Sequence, residues 1–413
     1  MASLSAIRTV LAHRNTRIFY GGSLVSWTGL WVQKVAVDWL AWELTHSPLW
    51  VGILAFCNLA PSVIVSPFAG AWADRMDRVR LTVVTQLITA AHAATLAGLT
   101  LSGHIRVEYI AVLEVLLGTA QAFAQPARQT LVPGMVPRSE LPGAIALNSL
   151  CYNLARSIGP GIGGLIVAAA GVVPAMLVNC AAYLFASVTL PLLRLHAGAR
   201  RGHAPTGSVL REVVDGIMYV ARHPGMGPLF LFAGLLGVLT RPVQEMLPPY
   251  IDRLFSQGAQ GLATVSSAIG MAAMVGGLIV AMRGRLDGLA RLAVAAGAVM
   301  VLATAGFVAT HHFGFAVVCA ATLGGATTMH GISVQTLLQS STSGHMLGRV
   351  LSLWGMIGRA APALGAVIYG GLAEFAGLQL PVLAGAAVAS VACVLVVRRL
   401  PRIARALERG DAA

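Results

Sequence analysis

Two pairs of opposite charge sit at helical spacing in otherwise apolar stretches. Lys34 and Asp38 are four residues apart, and so are Arg241 and Glu245, the separation that brings side chains together on one helix face. Glu114, Arg156 and Arg359 lie in similar runs rich in Ala, Val, Leu and Gly. A charge in such surroundings has to face a partner or a polar cavity. Burial raises a carboxylate's proton affinity and a neighbouring cation lowers it, so a carboxylate held between the two can exchange a proton when its surroundings change. Asp38, Glu245 and Glu114 are therefore candidates for proton coupling, with Lys34, Arg156, Arg241 and Arg359 as ion-pair or cavity cations. Glu114 has no sequence-local partner, and Arg156 on the next apolar run is a plausible one. The same spacing equally suits pairs that only neutralise each other and hold helices in register, and both readings stay open. Gln33, Asn58, Gln125, Asn153, Gln244 and His330 add polar groups able to hydrogen-bond a cargo or to bridge helices.

These residues are carried by twelve apolar segments, at 18–43, 49–72, 81–102, 107–127, 142–170, 173–194, 227–250, 261–282, 290–311, 313–338, 347–372 and 378–397. Each has roughly the 20 residues a helix needs to cross the hydrocarbon core. The chain is 57% hydrophobic and 10% charged, which suits a membrane and not a soluble domain. Its net charge of +13 is spread singly or in short clusters between the segments, so anionic headgroups are the expected counterpart and nucleic acid is not. Of the 28 Lys and Arg residues, 22 fall in the N-terminus, the even-to-odd loops or the C-terminus, and only Arg106 and Arg253 in the opposite loops. The positive-inside rule then places both termini in the cytoplasm. Trp42 and Trp50 near segment ends read as interfacial anchors. The near-exclusive use of arginine over lysine suggests a bacterial source, hence a multi-pass protein of the inner membrane.

The two halves repeat. The pair Lys34 and Asp38 returns as Arg241 and Glu245, Gln129-Thr130-Leu131 as Gln335-Thr336-Leu337, and Arg156 as Arg359, with offsets of 207, 206 and 203 residues. Matches at nearly one offset, about half the chain, indicate two parallel six-span bundles. The expected fold is an all-α polytopic membrane protein, twelve transmembrane helices in two pseudo-symmetric six-helix bundles around a central cavity. Its domains would be an N-terminal bundle at 1–194, a cytoplasmic linker at 195–226, a C-terminal bundle at 227–397 and a basic tail at 398–413. Within the linker, 209–222 places Leu210, Val213, Val214 and Ile217 on one face, the pattern of a short interfacial helix. Two bundles that rock against each other form a transporter architecture.

Between the second and third segments, Gly70-Ala-Trp-Ala-Asp74-Arg75-Met-Asp77-Arg78-Val-Arg80 resembles the cytoplasmic signature loop of the major facilitator superfamily. Asp77 stands where that pattern usually has glycine. Trp39-Leu-Ala-Trp-Glu-Leu-Thr45, Pro126-Ala-Arg-Gln-Thr-Leu-Val-Pro133 and Gly348-Arg-Val-Leu-Ser-Leu353 resemble the subfamily of enterobactin and macrolide exporters. The resemblance implies that Gly70, Asp74, Arg75, Arg78 and Arg80 latch the outward-open state. Gly159, Pro160, Gly163 and Gly164 are similar to the core of the antiporter motif, and they equally suit tight helix packing. The implied function is secondary active export of a siderophore, macrolide or other drug-like molecule by proton antiport. Proton-coupled uptake of an organic acid, or lipid flipping, are the alternatives.

Other classes lack their residues. A phosphate-binding loop needs Lys followed by Ser or Thr, and the only lysine, Lys34, precedes Val35. Neither a His-Glu-x-x-His zinc site nor a Gly-x-Ser-x-Gly elbow occurs. The chain is thus expected to be no enzyme, to need no metal or cofactor, and to work as a monomer with protons and a small molecule as partners.

Overall fold

Inside hydrocarbon every backbone N–H and C=O must be satisfied by the chain itself, so apolar runs of this length fold as helices. The computed structural model describes residues 4–73, 76–193, 209–283, 285–344 and 346–408. Among them there is no strand, and nine helices are long and apolar enough to cross a membrane. The order is α1 (Leu4–Ala12), α2 (Arg14–Thr45), α3 (Pro48–Ala73), α4 (Arg78–Leu101), α5 (Val107–Leu131), α6 (Leu141–Ala170), α7 (Val172–Thr189) and α8 (Val209–Arg222). There follow α9 (Met226–Leu239), α10 (Pro242–Glu245), α11 (Leu247–Phe255), α12 (Gly258–Arg283), α13 (Leu289–Ala309), α14 (Phe313–Ser341), α15 (Leu347–Ala376) and α16 (Gln379–Glu408). Helices α2 and α6 are not among the nine, yet at 32 and 30 residues they have the length to span.

Eleven of the twelve apolar segments are each built on one main helix; the seventh is not. There α9 stops at Leu239, α10 is a four-residue turn and α11 starts at Leu247. Pro242, Pro248 and Pro249 lack the amide hydrogens that the carbonyls one turn back would accept, and their rings clash with those carbonyls. The break places Arg241 and Glu245 at the two ends of α10 instead of along one continuous helix.

The chain divides into two units, one of Met1–Thr45 with Cys57–Thr206, the other of His46–Phe56 with Gly207–Ala413. In the first, α2 packs on α6 and α7, and α4 on α5 and α7. In the second, α9 packs on α15 and α16, and α13 on α14 and α16. Taking α9 to α11 as one span, these four pairings recur in both, first with fifth and sixth and third with fourth and sixth, and α12 packs in addition on α14. The first interior gathers Phe19, Tyr20, Trp27, Leu131, Leu147 and Ala155; the second gathers Phe232, Leu236, Met300, Leu323, Leu337 and Val350. Apolar side chains also point outward, Met282, Leu302 and Phe375 (94% exposed) among them. Surfaces of that kind belong against lipid.

Three further outcomes differ from or refine the sequence reading. Trp42 is fully buried and not an interfacial anchor, as suits the large apolar surface of an indole. Residues 398–408, expected as tail, continue α16, and the Glu408 carboxylate accepts from the amides of Gly288 and Ala290, each at 2.8 Å. That carboxylate caps the exposed donors at the start of α13. Helix α8 has the expected bounds; Gly216 meets Leu353 and Arg349 of α15, while Val214, Ile217 and Met218 stay exposed. Asp215 pairs with Arg349 at 3.3 Å.

Candidate functional site

Within the first unit, five helices deliver polar groups to one place. Helix α2 supplies Gln33, Lys34 and Asp38, α3 supplies Asn58, α4 His92, α5 Glu114 and α7 Asn179. Lys34 Nζ lies 3.0 Å from Asp38 Oδ2, as the spacing predicts. Glu114 is buried, and Asn58 Nδ2 donates to its Oε2 at 2.6 Å. Its other oxygen, Oε1, faces His92 Nε2 at 3.6 Å.

The expected partnership of Glu114 with Arg156 is not formed among the described residues. The neighbours of Glu114 come instead from α3 and α4, whereas α6, which carries Arg156, packs on α2 and α7.

The proton on His92 can be placed from its neighbours. Asn179 Nδ2 donates to Gln33 Oε1 at 2.7 Å, which turns the Gln33 amide nitrogen toward His92 Nδ1 at 3.1 Å. Nδ1 accepts, so a neutral imidazole carries its hydrogen on Nε2, toward Glu114. That Nε2 has no acceptor within hydrogen-bond distance among the described residues. The arrangement holds one carboxylate oxygen with a neutral amide and leaves the other beside an imidazole. Such a carboxylate can bind and release a proton with little movement.

Nearer the arginine-rich loops, the same unit holds a second polar group. Arg128 falls one residue beyond the fourth apolar segment and so counts in the sequence as a loop charge. In the structure it occupies the last turn of α5 and is 6% exposed. Its Nη2 donates to Ser26 Oγ at 3.1 Å, and the guanidinium lies 5.1 Å from the centre of the Trp27 ring. Trp27 in turn meets Tyr152 edge-on at 5.5 Å. A stripe of Gln121, Gln125 and Arg128, at helical spacing and running past residue 127, is the signal that could have found it. Arg156, one turn beyond Tyr152 on α6, is half-buried, with no carboxylate in ion-pair range among the described residues. Gln125 and Asn153 are exposed, Asn153 donating to Ser149 O at 2.8 Å.

Gly159 and Gly163 set how closely α6 approaches α2. A Cβ on Gly159 would meet Trp31 Cβ at 2.5 Å, and one on Gly163 would meet the Val32 carbonyl oxygen at 2.7 Å. Pro160 lies within α6, and Gly164 is buried beside these contacts. In the signature loop, Gly70 ends in α3, Arg78 and Arg80 open α4, and Asp74 and Arg75 lie outside the described residues. Asp77 has φ −63° and ψ 117°, and its side chain accepts from the Arg80 amide. It is an ordinary N-cap, for which glycine is not needed.

In the second unit, Arg241 Nη1 donates to Gly358 O at 2.9 Å, next to Arg359 on α15, and Gln244 Nε2 reaches Thr327 Oγ1 at 3.3 Å. Glu245 ends α10 and is half-buried. His330 is buried, with Nδ1 2.9 Å from Ala293 O and its ring edge-on to Phe232 at 5.7 Å. Among the described residues no three metal-binding side chains come together.

The whole chain has relatives. A family model described as transmembrane secretion effector matches residues 7–410. The multidrug efflux pump Tap of Mycolicibacterium fortuitum is 29% identical over 373 residues, 88% of this chain and 90% of that one. The enterobactin exporter EntS of Shigella boydii is 28% identical over 383 residues, 90% of this chain and 88% of that one. Among solved structures, the nucleoside transporter NupG superposes with a TM-score of 0.72 at 12% identity, over 94% of this chain and 99% of that one.

Proposed function

The chain belongs to the transmembrane secretion effector family of the major facilitator superfamily, and on that premise we propose that it exports a small organic molecule in exchange for protons. It is a transport protein and not an enzyme. The observation that carries the coupling is the buried Glu114, flanked by Asn58 and His92, on the same bundle as the Lys34–Asp38 pair. Ionisable groups are costly inside a membrane and mark proton or substrate pathways there.

In this reading Glu114 and Asp38 take up protons from one side and release them to the other as the bundles rock. Glu245, at the broken seventh span beside Arg241 and Arg359, is the corresponding carboxylate of the second half. Gln125, Asn153 and Gln244 contact the cargo, whereas Gln33, Asn58 and His330 position the bundle interior. The signature loop holds the outward-open state, and Gly159, Pro160, Gly163 and Gly164 keep α6 close to α2. Export is favoured over uptake because relatives along the full chain include a multidrug efflux pump and an enterobactin exporter. The protein works as a monomer in the inner membrane, with both termini cytoplasmic and its basic loops on anionic headgroups.

Proteoliposomes with an imposed pH gradient test this, challenged with enterobactin, a macrolide, an organic acid and a cationic dye. Wild type is expected to move protons in response to at least one compound, and Asp38→Asn or Glu114→Gln to reduce that flux about tenfold or more, a barrier change of about 1.4 kcal/mol. Wild-type cargo movement without any proton flux, unchanged in both variants, would refute the coupling.

A further inference from the structure

We propose that Arg128, with Ser26, Trp27 and Tyr152, forms a subsite that recognises the negatively charged, ring-bearing end of the exported molecule. The proposal deepens the export reading and rests on it for the identity of the ligand as cargo.

Arg128 is a buried cation whose compensation is incomplete. Among the described residues it meets the Ser26 hydroxyl, the face of Trp27 and the neighbourhood of the Tyr183 phenol, none of them a carboxylate. Its Nε is buried and has no hydrogen-bond acceptor among the described residues. A guanidinium offers five donors in a planar fork suited to a carboxylate or similar anion, and here one hydroxyl takes one of them. The two carboxylates of the polar centre lie at another depth: Asp38 is twelve residues from Ser26 along α2 and Glu114 fourteen from Arg128 along α5, about 18 to 21 Å at the helical rise. Anion binding and proton binding would then occupy different depths of one bundle.

The scaffold does not require this arrangement. At the repeat offsets of 207, 206 and 203, Ser26, Trp27, Arg128 and Tyr152 correspond to Ala233, Gly234, Val334 and Gly355. Val334 is completely buried at the position equivalent to Arg128. The second half also sets an edge-on aromatic pair on the equivalent spans, Phe230 with Trp354, but has a buried valine where the first has the arginine. A residue that packing does not need, and that costs free energy to bury, is expected to serve a ligand.

The surroundings define the ligand. Trp27 and Tyr152 stand edge-on and form an aromatic corner beside the guanidinium. Tyr152 is 37% exposed, and Gln125 and Asn153 beside it are exposed as well, which gives a polar entrance. An aromatic carboxylate or a catecholate fits, its charge on the free edge of Arg128 and its ring against Tyr152 and Trp27.

The test uses the full chain in phosphatidylcholine nanodiscs, with benzoate and its neutral isostere benzamide titrated by calorimetry and tryptophan fluorescence. Benzoate is expected to bind saturably, and benzamide at least about tenfold more weakly. Arg128→Gln should lose at least about tenfold in benzoate affinity, with Arg128→Lys in between, because a point charge replaces the fork. Size exclusion and a thermal melt check folding, and if Arg128→Gln does not fold, Trp27→Leu provides the second arm with the same expected loss. No saturable benzoate binding, equal binding of benzamide, or unchanged benzoate affinity in the folded variants would overturn the proposal. So would loss of benzoate binding on adding phosphatidylglycerol, which would identify a lipid-headgroup site. The assay has no gradient, so its failure leaves proton-driven export standing, and a failure of coupling leaves this binding result intact.

Discussion

At the scale of single residues, what matters is which polar groups are satisfied and by whom. Glu114 has a neutral amide on one oxygen and an imidazole near the other, while Lys34 and Asp38 neutralise each other. The pair on α2 was legible because it depends only on local spacing. The partners of Glu114 were not, because they depend on the relative depth of α3, α4 and α5, which no local pattern encodes. Arg128 was hidden for a related reason: an apolar segment ends where hydropathy falls, and a buried arginine lowers hydropathy just as a loop does. Outside the spans, His223 offers a test of local electrostatics. Its Nδ1 accepts from the amides of Gly225 and Met226 at 3.1 and 3.2 Å, at the start of α9. Burial lowers its pKa from the usual 6.5. The folded state therefore binds this proton less readily than the unfolded chain, so the contribution is complete above pH 6.5 and is lost as pH falls below it. Amide exchange should show protection at Gly225 and Met226 falling several-fold more between pH 7.5 and 5 than at neighbouring amides of α9. Equal protection at both pH values would mean that the histidine does not cap the helix.

At the scale of elements, proline and acidic caps decide where helices begin and end. Three prolines break the seventh span, and they were visible in the sequence; an average over the apolar run concealed their effect. Asp77 starts α4 through its side chain, so the helix begins without the glycine usual at that position. The end of α16 is the less expected element. Arg398, Arg399, Arg402 and Arg405 suggested a solvated basic tail, yet the helix continues through them to Glu408. Glu408 then supplies two hydrogen bonds to the start of α13. Glu408→Ala is expected to cost about 1–2 kcal/mol, from loss of a cap and of a negative charge at a helix N-terminus. In a thermal melt of the purified protein that corresponds to a fall of roughly 2–8 °C, with Glu408→Gln falling less. An unchanged midpoint in Glu408→Ala would show that the contact does not stabilise α13.

At the scale of the whole molecule, the all-α membrane fold was readable from the length and composition of the apolar segments. Four helix pairings recur in the two units, and the family model extends over nearly the full chain. Polar and charged groups divide unevenly over the two halves. The first half carries Glu114, His92, the Lys34–Asp38 pair and Arg128, while the second carries Arg241, Glu245 and Arg359 around a broken span. Coupling between protons and cargo is the central claim, and it predicts a particular failure. The most direct measurement is transport by Glu114→Gln in proteoliposomes under two conditions, cargo exchange with no gradient and cargo accumulation driven by a pH gradient. The variant should exchange cargo within about twofold of wild type, because both conformations remain accessible, and should lose gradient-driven accumulation by about tenfold or more. Gradient-driven accumulation at the wild-type level in Glu114→Gln would contradict the account.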